Sequence, residues 1–291
     1  MKPGVFIVSL LVILLSGCRE SFTDKVKKTA VEDTAHQVSD SNYHPEGKTI
    51  GERFAVPEGF RRTTLDNPSF GHYLRNLPLK PLESKVTYYD GSNKPKGTVY
   101  EAVVDLPIGK RDLHQCADAV MRLRAEYLFS LKKYDSIHFN FTNGFRADYS
   151  KWQKGQRISV KGNRVKWIHS AQPSNSYADF WKYLEMVFSY AGTASLEEEL
   201  KSISLQELQT GDVFIQGGFP GHAVIVVDVA WEDTTREKVF LLAQSYMPAQ
   251  EIQVLKNPNN SGLSPWYRIS EIHQELRTPE WVFKNTDLKR F

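Results

Sequence analysis

The sequence predicts an α+β fold, on three observations. Residues 112–131 and 176–190 carry apolar side chains at helical spacing, the last third of the chain is a series of short strand-like runs between turn clusters, and no internal repeat is present. The composition is that of a packed globular protein: 291 residues, 41% hydrophobic, with 37 Lys+Arg against 34 Asp+Glu. Disorder, collagen and coiled coil are excluded, and a net charge of +3 excludes a nucleic-acid binder that works by bulk charge. Two cysteines, Cys18 and Cys116, form one disulfide at most, so a disulfide scaffold is excluded as well.

The N-terminus is read first. Lys2 precedes an uncharged apolar run over residues 5–15, which ends in Leu15-Ser16-Gly17-Cys18. An 11-residue run is too short for a spanning helix, which needs roughly 20 residues, and fits a signal peptide over residues 1–17. The ending resembles the lipobox of bacterial lipoproteins, which implies cleavage before Cys18 and its conversion to a diacylglycerol-bearing, further acylated residue. Residues 18–48 are charged and aperiodic and read as a tether. Its reach is roughly 30 Å, at about 5–6 Å times the square root of length. These features place the chain in a bacterial envelope, lipid-anchored to an inner or an outer membrane.

Residues 49–291 read as one domain. A short helix is expected over 69–77, stopped by Pro78 and Pro81. Strands over 86–89 and 98–106 are expected to flank the turn Asp90-Gly91-Ser92-Asn93. Asp112 is the expected N-cap of the helix ending near Leu131, which puts Cys116 in its first turn and on its apolar stripe. Residues 156–160 and 164–168 form a hairpin around Lys161-Gly162-Asn163. The helix over 176–190 buries Tyr177, Phe180, Trp181, Leu184, Val187 and Phe188. Then come a turn at Thr210-Gly211-Asp212, a strand over 213–215, a glycine-rich loop, and a strand from His222 to Ala230. Further strands are expected over 238–245, with Gln244 near its end, and over 252–255.

The run SLQELQTGDVFIQGGFPGHAVIVVDVA resembles the core of NlpC-type and CHAP-type papain-like cysteine peptidases and amidases. There a Gly-Asp turn precedes a strand, and a Gly-His strand supplies the catalytic histidine. The whole chain also resembles a family of bacterial lipoproteins with a domain of unknown function, through DLHQCADAVMRLRAEYL, LLAQSYMPAQEI and PEW. The first resemblance implies a papain-like core, an antiparallel sheet packed on helices, here with N-terminal hairpin and helix elaborations. It assigns Cys116 as nucleophile, its thiol pKa lowered at a helix N-terminus, with His222 as base and Gln244 as the residue that orients the imidazole. It implies neither metal nor organic cofactor. The chain departs from the pattern in one respect: in NlpC-type enzymes the cysteine opens the helix just upstream of the Gly-Asp turn, and here that place holds Ser176-Tyr177.

Three functions remain open at this stage. One is a hydrolase acting on cell-wall peptides or related amide bonds; the second is a non-catalytic envelope module that binds peptidoglycan or another envelope polymer; the third is an acyltransferase or thioesterase. Other residues have local or site readings. Ser176 is a helix cap or a substitute nucleophile. Gln115, directly before Cys116, is a candidate oxyanion donor. Asp212 is a turn residue bonded to backbone. Lys151, Lys154, Arg157, Lys161, Arg164 and Lys166, flanked by Trp152 and Trp167, form a solvated hairpin face or a surface for an anionic polymer or sugar rings. The Ser264-Pro265-Trp266-Tyr267 and Thr278-Pro279-Glu280-Trp281 segments read as loop anchors. No histidine pair has metal-ligand spacing.

Overall fold

The computed structural model describes residues 43–291 apart from Lys96, so Cys18, the signal segment and most of the tether lie outside the described residues. The fold begins before residue 49. Tyr43 bridges Phe54 and the His44 N–H donates to Arg53 O over 2.7 Å, which closes the end of the expected tether onto the first helix.

In chain order the first elements are α1 (Ile50–Arg53), β1 (Phe60–Arg62), α2 (Phe70–Arg75), β2 (Tyr100–Val103) and α3 (Cys116–Ser130). The middle of the chain forms β3 (His138–Asn140), β4 (Arg146–Asp148), α4 (Tyr149–Trp152), β5 (Gln156–Lys161), β6 (Arg164–His169), α5 (Tyr177–Tyr190) and α6 (Thr193–Glu199). The rest is β7 (Lys201–Ser202), β8 (Val213–Gln216), β9 (His222–Glu232), β10 (Lys238–Gln244), β11 (Gln253–Leu255), β12 (Tyr267–Arg268), β13 (Glu275–Arg277), β14 (Val282–Lys284) and β15 (Leu288–Arg290).

The α+β expectation holds at this level: a mixed fold built on antiparallel pairing. Nine strands form the main sheet in the order β2-β11-β10-β9-β8-β15-β7, with β1 on the far end of β9 and β12 on the start of β10. Strand β9 is its axis, because its run of β-branched residues is buried on both faces. Ala223, Ile225 and Val227 join Ala117, Val120 and Met121 of α3 in one core, while Val224 and Val226 join Phe214, Phe240 and Phe283 in a second. The period of two along the strand divides the side chains this way. Burying each of those phenylalanines contributes roughly 2 kcal/mol. A register shift between Leu241 and Leu242 places Asp228 of β9 inside the protein, where Arg75 and Arg62 pair with its two oxygens at 2.6 and 2.7 Å.

Several local expectations are corrected. Residues 86–89 and the β2 segment do not form a hairpin: Thr87 bridges Asn93, Tyr88 bridges Gln250, and β2 pairs with β11, so the stronger partner is 150 residues away in sequence. Asp112 is not the N-cap of α3, whose cap position is Gln115. In α5, Tyr177 is half exposed and Tyr183 takes its place in the core, donating its hydroxyl to Ala147 O.

Candidate active site

The site forms where α3 begins and β9 begins. The N–H of Gln115 donates to Asp118 Oδ2 over 2.9 Å, which closes the first turn of α3. Asp112 holds that turn to the segment beyond β10, since its Oδ1 accepts from Gln115 Nε2 at 3.0 Å and from the Ala249 N–H at 2.7 Å. His114 adds a second tie, with Nδ1 3.1 Å from Gln250 O, and the Ser245 hydroxyl lies against both His114 O and Gln250 O. Cys116 is therefore the first residue of α3 and points back toward the sheet.

On the other side, the glycine-rich loop sets the start of β9. A Cβ on Gly221 would lie 2.4 Å from Thr193 Oγ1 and 2.7 Å from Gln216 O, so only glycine fits between the loop and α6. His222 follows, paired in register with Gln216 of β8. Its ring packs against Tyr246, Trp281 and Phe283 at centroid distances of 4.8, 5.4 and 5.8 Å.

These elements bring two of the three sequence-assigned residues, His222 and Gln244, into contact. His222 Nε2 is 2.8 Å from Gln244 Oε1, and both side chains are buried. The backbone N–H groups of Ala117, of Ala223, the next residue along β9, and of Cys116 itself favour the thiolate form of Cys116. Tyr246 lies against the His222 ring and within electrostatic reach of the Cys116 thiol. The thiol arrives from the α3 face, whereas His222 and Gln244 lean toward the Phe283 face. The β9–β10 pairing stops at Ala243 opposite Ile225, and among the described residues no hydrogen bond joins Cys116 to His222 across this strand end.

The electrostatics differ from the expectation of a thiol acidified by its helix. Burial first and nearby Asp118 second push the Cys116 thiol up to about 11, and the three backbone N–H groups only partly offset this. Burial first, with a smaller contribution from Lys94 and against the Gln244 hydrogen bond, lowers His222 to about 4. At neutral pH the pair is therefore a neutral thiol and a neutral imidazole.

Two residues extend the cluster that sequence reading passed over. Gln244 Nε2 donates to Glu280 Oε2 over 2.6 Å, and Lys94 Nζ meets both Glu280 oxygens at 2.8 Å. Beside Glu280, Trp281 covers the His222 ring and donates its indole N–H to Gln216 Oε1 at 3.2 Å. The signal was the Pro-Glu-Trp triplet, which reads as a loop anchor because nothing in sequence ties it to Gln244. Lys94 sits in a turn region and carries no motif.

The other candidates fall elsewhere. Ser176 is the N-cap of α5 and accepts from the Asp179 N–H; the Gln115 side chain is held by Asp112. Asp212 is fully buried and accepts from the Gln209 N–H, as its turn position implied, and pairs with Arg290 as well. Trp152 is buried beneath Arg157 and gives its N–H to Asp179 O, so it is no platform for a sugar ring. Trp167 carries Lys151 over its ring at 5.6 Å. Among the described residues, no group of three His, Cys, Asp or Glu side chains is placed to hold a metal. Cavities of about 600 and 560 Å³ are lined by Trp231, Arg236 and Lys238 and by Tyr43, Lys256 and Asn257, not by the cluster.

Fold and cluster together define a mixed α/β domain with a cysteine at a helix N-terminus beside a glutamine-bonded histidine. Residues 50–290 match the family described as Domain of unknown function (4846), and the chain belongs to that family. No curated protein and no solved structure matches it.

Proposed function

We propose that this chain is a lipid-anchored bacterial envelope protein whose domain has a papain-like core and cleaves an amide or related acyl bond through Cys116, His222 and Gln244. The observation that carries this reading is the 2.8 Å His222–Gln244 hydrogen bond at the start of β9, supported by the influence of the next residue's backbone N–H, that of Ala223, on the Cys116 thiol. With Nε2 engaged by Gln244, Nδ1 is the ring nitrogen left to act as base. As the sulfur attacks the acyl carbon, the thiol proton moves to Nδ1 and the carbonyl oxygen becomes an oxyanion. The imidazolium then returns that proton to the leaving amine as the C–N bond breaks, leaving a thioester. Water, deprotonated by His222, attacks the thioester; the C–S bond breaks and the thiolate recovers its proton. Because thiol and imidazole start neutral, proton transfer accompanies attack rather than preceding it.

The lipid anchor rests on the sequence ending in Cys18, and peptidoglycan peptides as substrate rest on that location together with the family resemblance. No described helix is long and apolar enough to cross a membrane. A second reading, a non-catalytic binding module, is favoured by the burial of the thiol, which is 7% exposed. The two are separated by incubating the protein with peptidoglycan fragments and following new amino groups. Release that Cys116→Ala abolishes supports the hydrolase; fragment binding without release, unchanged in Cys116→Ala, supports the module.

A further inference from the structure

We infer that Glu280 and Lys94 are positioning residues, whose ion pair fixes the amide orientation of Gln244 and, through it, the tautomer of His222. Three segments far apart in sequence converge to make this chain of contacts: the turn region at Lys94, the end of β10 at Gln244, and the turn between β13 and β14 at Glu280. Lys94 and Gln244 are 7% and 2% exposed, so water does not replace their partners.

A carboxylate held by a lysine only accepts, so the Gln244 side chain must present its NH₂ to Glu280 at 2.6 Å. Its carbonyl oxygen then faces His222 at 2.8 Å and also only accepts, which requires a proton on Nε2. A neutral imidazole with its proton on Nε2 has its lone pair on Nδ1. Lys94 keeps Glu280 an acceptor by meeting both of its oxygens. The Thr278 hydroxyl and backbone close the turn that carries Glu280 onto Trp281, whose indole is bonded to Gln216, so the carboxylate is held from both sides.

The catalytic consequence rests on the cysteine-hydrolase reading, whereas the tautomer does not, and the test separates them. The full chain, labelled with ¹⁵N-histidine, is examined at pH 7, the His222 signal being assigned by its loss in His222→Asn. In the unmodified chain His222 gives a protonated Nε2 and an unprotonated Nδ1. The double variant Lys94→Met/Glu280→Leu replaces the ion pair by apolar side chains, a change that folded proteins commonly tolerate, and frees the Gln244 amide to turn. Both His222 tautomers then appear, and modification of Cys116 by an acyl-type electrophile slows by about tenfold or more. Glu280→Gln, nearly isosteric, gives the same mixture because its amide donates as well as accepts; Lys94→Arg keeps the single tautomer. A lone Nε2–H tautomer in either of the first two variants, once folded, overturns the inference. Mixed tautomers in a protein whose Cys116 never reacts uphold it and remove the hydrolase reading instead.

Discussion

At the scale of single residues, the controlling feature is that burial outweighs the helix N-terminus at Cys116. Three backbone N–H groups favour the thiolate, yet burial pushes the thiol up to about 11. Simple alkylation of Cys116 by iodoacetamide is therefore expected to rise about tenfold per pH unit from pH 7 toward 10, with no plateau near neutrality. A plateau below pH 7 would mean a thiolate–imidazolium pair. The buried histidines make a second expectation. The folded protein holds His222 at about 4 and His114 at about 3, both below the 6.5 of an unperturbed histidine, and burial is the first cause for each. Between those values and 6.5 the unfolded chain binds more protons, so stability is full above pH 6.5 and is lost as pH falls toward 4. For His222 the loss is on the order of 3 kcal/mol. Denaturant midpoints measured from pH 7 to pH 4 check this, and His222→Asn flattens the slope.

At the scale of elements, the last strand closes the sheet. β15 lies between β8 and β7, and Arg290 on it meets Asp212 at 2.7 Å beneath the Thr210-Gly211-Asp212 turn. Arg290→Met leaves the carboxylate of Asp212 buried without its cation and is expected to cost about 3 kcal/mol in urea unfolding. Asp212→Asn/Arg290→Met is expected to cost less than the single change. This strand also shows what the sequence conceals. The elements legible in sequence are those whose period or punctuation is local: α5 with its Ser176 cap, the β5–β6 hairpin around Lys161-Gly162-Asn163, and the β8–loop–β9 unit whose glycines require the turn. The strands missed or mispaired are short ones whose pairing is decided by distant partners. β15 is three residues long and β2 pairs with β11 rather than with its neighbour. Asp112 misled for a related reason: its carboxylate binds Ala249 across the fold, a contact that cap statistics do not contain.

The same division holds for the site. Cys116, His222 and Gln244 are legible in sequence as a family pattern, but His222 meets Gln244 because β9 pairs with β10, and no spacing encodes that register. Glu280 and Lys94 carry no pattern, because a carboxylate that acts through a glutamine is recognised only by what it touches.

At the scale of the whole molecule, the proposal joins an anchor and a site. Cys18→Ala is expected to abolish incorporation of a palmitate analogue and to release the chain from membranes, while the Cys116 reactivity of the released protein is unchanged; fractionation and label retention check both. The central claim of the hydrolase reading is that Cys116 and His222 act as one pair. It is tested by labelling the protein at pH 7 with a vinyl sulfone, which needs a base to deliver a buried neutral thiol. Labelling confined to Cys116, and lost in a folded His222→Ala variant, is the expected result. Labelling of Cys116 that proceeds at the same rate in His222→Ala, or a Cys116 inert in both, contradicts it.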